Sequence, residues 1–324
     1  LTAKVLKRAL SNIAREAHAL EQTRVKILAQ RKKGSHILLL GGVVALIAGL
    51  GIISVAESGW AIIALVVVCV IGALVISYHY FSKGAAAFRH LFKHQFMTRY
   101  VREFFPELTY KPNAGIPSHA FDRSGLYRTR PDRYSAEDLF EGRLGETKLA
   151  FSEVHAEEKR RTTDSKGRSK TTWHTIFEGL FFIADFNKDF RSPVSVMPDV
   201  AEKHFGWIGK KLQKLGGSLQ TMENPEFEKL FVVRGQDAVE TRYILTPAMQ
   251  DSLVRLRKRT GPGLRIIFRD SRLWIAIPNR EDWFEPNLHC AVGDLSQLKR
   301  LLMQMTCCTS IVDELDLNTR IWTK

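Results

Sequence analysis

Two long apolar runs without a single Asp, Glu, Lys or Arg constrain this chain more than any other feature: ILLLGGVVALIAGLGIIS from Ile37 to Ser54 and WAIIALVVVCVIGALVISYHYF from Trp60 to Phe81. As helices they extend about 27 to 33 Å at 1.5 Å per residue, close to the thickness of a bilayer's hydrocarbon core. A helix that is apolar all round belongs in a membrane or deep in a large core. The first run starts too far along the chain for a secretory signal and is followed at once by the second, so the sequence predicts a two-helix transmembrane hairpin over residues 36–81. Trp60 at one edge and Tyr78 and Tyr80 at the other suit an interfacial aromatic belt. Gly41, Gly42, Ala45 and Gly49 offer small positions where a neighbouring helix can approach closely.

The placement of charge sets the expected orientation. Of the formal +14, residues 1–34 contribute nine Lys/Arg against Glu16 and Glu21. Residues 83–105 contribute Lys83, Arg89, Lys93, Arg99 and Arg102 against Glu103, whereas the short turn Val55–Gly59 holds only Glu57. Basic flanks around a turn without basic residues put both termini in the cytoplasm and the turn outside, in a bacterial inner membrane. Because the excess is juxtamembrane, the partner it implies is the lipid bilayer and not nucleic acid. Cys69, Cys290, Cys307 and Cys308 do not form a disulfide framework, which suits a reducing compartment.

Four domains follow: an amphipathic cytosolic helix over 1–35, the hairpin over 36–81, a juxtamembrane helix and connector over 82–133, and a cytosolic α+β domain over 134–324. In the first, Leu6, Leu10, Ile13, Ala17, Leu20 and Ile27 follow the four-and-three seam of a coiled coil, with Arg24 interrupting it where the next apolar residue belongs. Residues 4–30 are therefore a candidate surface for a protein partner or self-association, or a helix packed on its own domain. After the second run, Phe88, Phe92, Phe96, Tyr100 and Phe104 recur every fourth residue, with Arg89, Lys93 and Arg102 expected to point elsewhere. His90 and His94 have helical spacing for a shared metal, but no carboxylate or cysteine accompanies them.

The last domain reads as interspersed strands and helices without a βαβ rhythm, hence α+β. Strands are expected over Lys148–Ala156, Thr172–Ala184, Phe231–Val233, Arg242–Leu245, Leu264–Phe268 and Leu273–Ile277, the last two as a hairpin across Asp270-Ser271. Ser135 with Asp138, and Asp199 with Glu202, have capping-box spacing; Thr246-Pro247 and Asp294 with Gln297 open two further helices. Pro106 to Arg133 reads as an irregular connector. The polar stretch from Glu158 to Thr171 reads as a loop whose Lys159, Arg160, Arg161, Lys166, Arg168 and Lys170 are candidate anionic-lipid contacts.

The runs FEGLFFIADFNKDF at 177–190 and ENPEFEKLFVVRGQDAVETRYILTP at 223–247, with FEP at 284–286, resemble an uncharacterised bacterial membrane-protein family known as domain of unknown function 3137. The resemblance spans about residues 135–290 and implies a bacterial inner-membrane protein. It brings no activity or catalytic residues with it.

Glu153, His155 and Asp185 sit on expected strands and are candidates for an acid/base set, with Glu153 and His155 on one face. Asp237 and Glu240 have helical spacing, against a reading in which Asp237 closes a turn between strands. No phosphate-binding glycine loop, HExxH or GxSxG occurs, so the sequence assigns no catalytic, metal or cofactor residues. The balance favours a membrane-anchored binding or scaffold protein; the alternative is a membrane-associated enzyme acting on lipid or envelope precursors.

Overall fold

The computed structural model describes residues 11–53, 59–163, 167–199, 217–292 and 294–318; within these, the side chains at 44–46, 48–53, 59–63, 65–66, 79–83 and 295–296 lie outside the description. The chain divides into two units, one of residues 1–104 with 285–299 and one of residues 105–284 with 300–324.

The first unit is helical. Helix α1 (Ala14–Ile53) and helix α2 (Gly59–Leu91) run antiparallel, and a single π turn (Phe92–Met97) leads from α2 into α3 (Thr98–Phe104). Two glycines allow the close approach: a Cβ on Gly84 would stand 2.8 Å from Ile27, and one on Gly41 would stand 3.1 Å from Ala73. At Gly41, then, the small position of α1 serves α2 itself. Ile13, Leu20 and Ile27 of the predicted seam are buried within this unit, as are Phe88, Phe92, Phe96 and Tyr100. Leu6 and Leu10 lie outside the described residues.

Lys93 departs from its expected outward position. The π turn places one extra residue in the helical repeat, and Lys93 is buried, its ammonium 2.8 Å from Glu285. Glu285 also receives Arg89 at 2.8 Å. The segment it begins is held by further bonds: Arg24 donates to the Leu288 carbonyl at 3.1 Å, the Val292 N–H donates to Glu21 at 2.9 Å, and Tyr100 donates to the Leu298 carbonyl at 3.3 Å. The hydrogen bond from Arg24 holds the Glu21 carboxyl below its usual range. Among the described residues no helix is long and apolar enough to cross a membrane; both predicted spans fall partly on residues outside the description.

The second unit is mixed α+β, built on a nine-stranded antiparallel sheet in the order β1-β2-β3-β4-β9-β8-β5-β7-β6. Its strands are β1 (Leu108–Lys111), β2 (Arg133–Leu144), β3 (Thr147–Thr163), β4 (Ser169–Asp185), β5 (Val194–Pro198), β6 (Ser218–Gln220), β7 (Phe231–Gly235), β8 (Arg265–Arg269) and β9 (Arg272–Pro278). Helices α4 (Ser118–Ser124), α5 (Pro225–Leu230), α6 (Ala238–Ile244), α7 (Pro247–Thr260) and α8 (Leu295–Glu314) complete the chain, α8 crossing from one unit into the other. On one face Val154, Ala156, Phe177, Phe181, Trp274 and Ala276 pack with Phe121 of α4. On the other, Phe140 meets Phe151 and Phe284 at ring centroid distances of 4.7 Å.

Four expectations are corrected. The capping-box spacing at Ser135 and Asp138 lies inside β2, where the ladder to β3 overrides it. The supposed connector after Pro106 contains β1 and α4. Arg242 to Leu245 belongs to helix α6 and its cap, because Asp237 accepts from the Val239 and Glu240 N–H groups and starts a helix there. The polar stretch after Glu158 continues β3 and β4 as a hairpin arm, with Lys159 paired to Trp173 and Arg161 to Thr171. By contrast β8, β9 and α7 lie where expected: Asp270 and Ser271 take φ of 54° and 51° as a primed hairpin turn requires, and the Thr246 hydroxyl caps α7. The helix expected after Asp199 falls on residues 200–216, outside the description.

Candidate functional site

Antiparallel register brings the chemistry of the second unit together at one place. Glu137 pairs with Glu153, Ser135 with His155, and His155 in turn with Glu178 on β4, while Glu153 pairs with Leu180. All these residues share one face of the sheet because side chains alternate along each strand. With Asn279, Glu281 and Asp282 from the chain following β9 they line a cavity of about 390 Å³.

A β-bulge follows Glu137, at the edge of the cavity. Between the pairs Glu137–Glu153 and Phe140–Phe151 the register slips, so Asp138 and Leu139 oppose Ser152 alone. Asp138 takes φ of 56°, a left-handed conformation that aspartate tolerates better than most residues. Its N–H donates to the Pro112 carbonyl at 3.1 Å, and its fully buried carboxylate accepts from the Tyr110 hydroxyl. The Ile116 N–H donates to the Ser152 hydroxyl at 3.0 Å, closing the same corner.

Glu137, Asp138 and Glu153 present carboxylate oxygens within 4.8 Å of one another. An all-oxygen set of this size has the chemistry of a hard-cation site. The protein's own donors reach this cluster: Tyr110 donates to Asp138, and the Trp283 N–H donates to Glu153 at 2.6 Å. These donors make the cluster a hydrogen-bonded corner that ties β1 and the segment after β9 onto β2 and β3. On the next pair along, His155 stands 3.9 Å from Glu157.

Of the sequence candidates, Glu153 and His155 therefore meet in the cavity, whereas Asp185 lies at the far end of β4, 3.9 Å from Arg272. Glu137, Asp138 and Glu178 were not singled out from the sequence. The Glu137-Asp138 doublet was hidden by its resemblance to a helix cap, and Glu178 can be recognised only once the β3–β4 register is known. Asp237 and Glu240 serve structure. Burial favours a neutral Glu240, but the Ser192 hydroxyl and the N–H groups of Arg191 and Ser192 outweigh it and hold the carboxyl below its usual range.

The six basic candidates lie on or near the β3–β4 arm. Lys159, Arg160 and Arg161 are exposed on β3 and Lys170 on β4; Arg168 is exposed before β4, and Lys166 lies outside the described residues. Arg160 pairs with Glu158. Beside them Arg133 stacks 4.0 Å over the partly exposed Trp173 ring and reaches Glu157 at 3.1 Å. The His90 and His94 rings stack at 4.2 Å. Burial pushes the Cys307 thiol up and the fully enclosed Cys308 thiol higher still, leaving both poor nucleophiles.

Residues 175–317 match the family model DUF3137, described as a protein of unknown function. The match begins within β4 and takes in Glu178, Asn279, Glu281 and Asp282 of the cavity, but not Glu137, Glu153 or His155. Set against the resemblance read from the sequence, it starts later and runs farther. No curated protein and no solved structure matches the chain.

Proposed function

We propose that this chain, with its DUF3137 domain over residues 175–317, is a membrane-anchored binding or scaffold protein of the bacterial inner membrane. In this reading residues 36–81 cross the bilayer as a helical hairpin and the sheet-bearing unit faces the cytoplasm. One observation carries the proposal: between residues 39 and 78, most apolar residues of α1 and α2 whose side chains are described face outward. Among the described residues, Leu39, Leu40, Val43, Ile47, Val67, Val68, Val70, Ile71, Leu74, Val75, Ile76 and Tyr78 are all exposed, from 42 % for Val70 to 73 % for Tyr78. Each such aliphatic side chain left in water forgoes roughly 1.5–3 kcal/mol, and a contiguous belt of this kind marks a surface that another apolar phase covers. The basic residues on either side supply the expected cytoplasmic flanks.

Cysteine labelling in whole cells tests this reading. With the native cysteines replaced by alanine, Ser58→Cys is expected to react with an impermeant thiol reagent from outside, and Ser165→Cys only after lysis. The reverse pattern, or reaction at both positions, overturns the topology; release of the chain from membranes by alkaline carbonate overturns the anchor itself.

The cavity where Glu153, His155 and Glu178 meet favours a second reading, an enzyme acting on lipid or envelope precursors. Accumulation of such a precursor in cells carrying His155→Ala, with the protein still at its normal membrane level, is the result that reading requires.

A further inference from the structure

The sheet carries one long stretch of edge in its middle. Strand β4 pairs with β3 from Ser169 to Ala184, with one register shift at Ile176, but pairs with β9 only from Gly179 to Asp185. The Asn279 N–H donates to the Glu178 carbonyl at 2.9 Å, and there the second ladder ends. Among the described residues, Ser169 to Phe177 have no strand on that side. An antiparallel strand directs alternate N–H and C=O groups to each flank, so this edge presents a row of backbone groups about 30 Å long at the usual rise per residue.

The other margins of the sheet are treated differently. The outermost strands are short, β1 with four residues and β6 with three. On the β3 side of the arm, Asp132 closes the ladder: its N–H donates to the Glu157 carbonyl at 2.9 Å, and its carboxylate accepts from the Lys159 N–H at 2.7 Å. The β4 side has no comparable closure among the described residues. Its sequence, with Thr171, Thr172, Trp173, Thr175, Ile176 and Phe177, is rich in residues that favour strands and contains no proline. Alongside it runs a groove of about 640 Å³, lined by Thr175 to Glu178 on one flank and by Arg265, Pro278 and Arg280 among the others.

We propose that the β4 edge from Ser169 to Phe177 binds an acidic, extended segment of a partner protein as an added strand. Backbone pairing supplies the affinity, and side chains of the added strand enter the groove. The charge of the surroundings selects an acidic occupant. Arg265 and Arg280 line the groove against Glu178, and among the described residues the arm carries Lys159, Arg160, Arg161, Arg168 and Lys170 against Glu158. A second copy of this edge brings the same positive charge to itself, which opposes self-pairing. The chain's own segment 201–216, with Lys203, Lys210, Lys211 and Lys214 against Glu202, has the wrong sign for the site. The proposal gives the binding role above its partner class and rests on that role. Its test does not depend on the direction in which the hairpin crosses the membrane.

The full chain in neutral-lipid nanodiscs is titrated with a fluorescent decapeptide of alternating glutamate and valine. Saturable binding is expected. It should weaken at least roughly tenfold, about 1.4 kcal/mol, for a peptide of the same sequence N-methylated at alternate residues, which keeps its charge but loses its donors. Arg280→Glu should weaken it several-fold, and a lysine–valine decapeptide should not bind. Equal binding of the N-methylated peptide would reduce the effect to charge alone and overturn the proposal. So would full displacement by phosphatidylglycerol vesicles, which assigns the arm to lipid, or absence of peptide binding with a concentration-dependent dimer abolished by Thr175→Pro, which assigns the edge to a second copy. Cysteine labelling reports the anchor separately, so either idea can fail without the other.

Discussion

Tyr110 on β1 donates its phenolic hydrogen bond to Asp138, the residue that turns into the left-handed region at the bulge of β2. The bond joins the edge strand β1 to the positive-φ residue of the β2 bulge. Both side chains are buried, so neither has water as a ready substitute.

Tyr110→Phe is therefore expected to lower stability by about 1–3 kcal/mol, the usual cost of leaving a buried acceptor without its donor. Asp138→Asn keeps an acceptor and tolerates positive φ, and should cost less than Asp138→Val, which does neither. Thermal unfolding of the detergent-solubilised chain, followed by near-ultraviolet circular dichroism, would rank the three; equal losses for Asn and Val would mean that the bulge does not depend on this residue.

Gly179 is the point at which β9 joins β4. Its φ is 146°, and a Cβ there would stand 2.3 Å from the Ile277 carbonyl oxygen and 2.5 Å from the Asn279 nitrogen. Both neighbours are backbone and have nowhere to retreat without breaking the ladder. Gly179→Ala should cost more than about 2 kcal/mol and speed amide exchange in Phe181 to Ala184. Exchange unchanged from wild type would show that the strands separate there without penalty.

Glu285 receives two cations, the buried Lys93 and the more exposed Arg89. Removing it by Glu285→Ala deprives a buried ammonium of a charged partner, and about 3–5 kcal/mol is the usual loss for breaking such a pair. Glu285→Ala combined with Lys93→Met should recover most of that loss, since an apolar pair removes the desolvated charge. A double variant as unstable as the single one would place the damage in packing instead.

Glu240 ties Arg191 and Ser192 to helix α6, and its folded carboxyl titrates below the ordinary 4.5. A depressed carboxyl stabilises the fold above the unfolded pKa and loses that contribution as pH falls through the folded one. Glu240→Gln should therefore cost about 1 kcal/mol at pH 7, and the gap to wild type should narrow steadily below pH 4.5. A gap independent of pH would show that the charge contributes nothing.

Local chemistry made some of this architecture legible in the sequence. The pairing of Thr246 with Pro247 starts α7, and Asp270-Ser271 between two apolar runs forms the β8–β9 hairpin; in both cases a few adjacent residues suffice to fix the backbone. The same reasoning failed where distant strands decide the outcome. Ser135 and Asp138 have the spacing of a helix cap, yet β3 supplies a ladder along Ser135 to Glu137 that holds the segment extended. The charge of the arm's residues points to a loop, but polarity excludes burial without excluding pairing. The cavity suffered most from this limit: Glu153 and His155 are two apart on one strand, while Glu137, Glu178 and Asn279 arrive from other strands through register alone.

The bonds from Glu285, Leu288, Val292 and Leu298 to the helical unit bear on how this gene can be divided. A fragment beginning near Pro106 retains residues 285–299 but discards Glu21, Arg24, Lys93 and Tyr100, the groups that hold them. One cut cannot separate the two units, because the chain leaves the helical one at Phe104 and returns to it at Glu285. A sheet-bearing piece made for crystallisation needs a second deletion, with a short linker rejoining Phe284 to Arg300; without it, a stretch evolved to lie against helices is left to find other company.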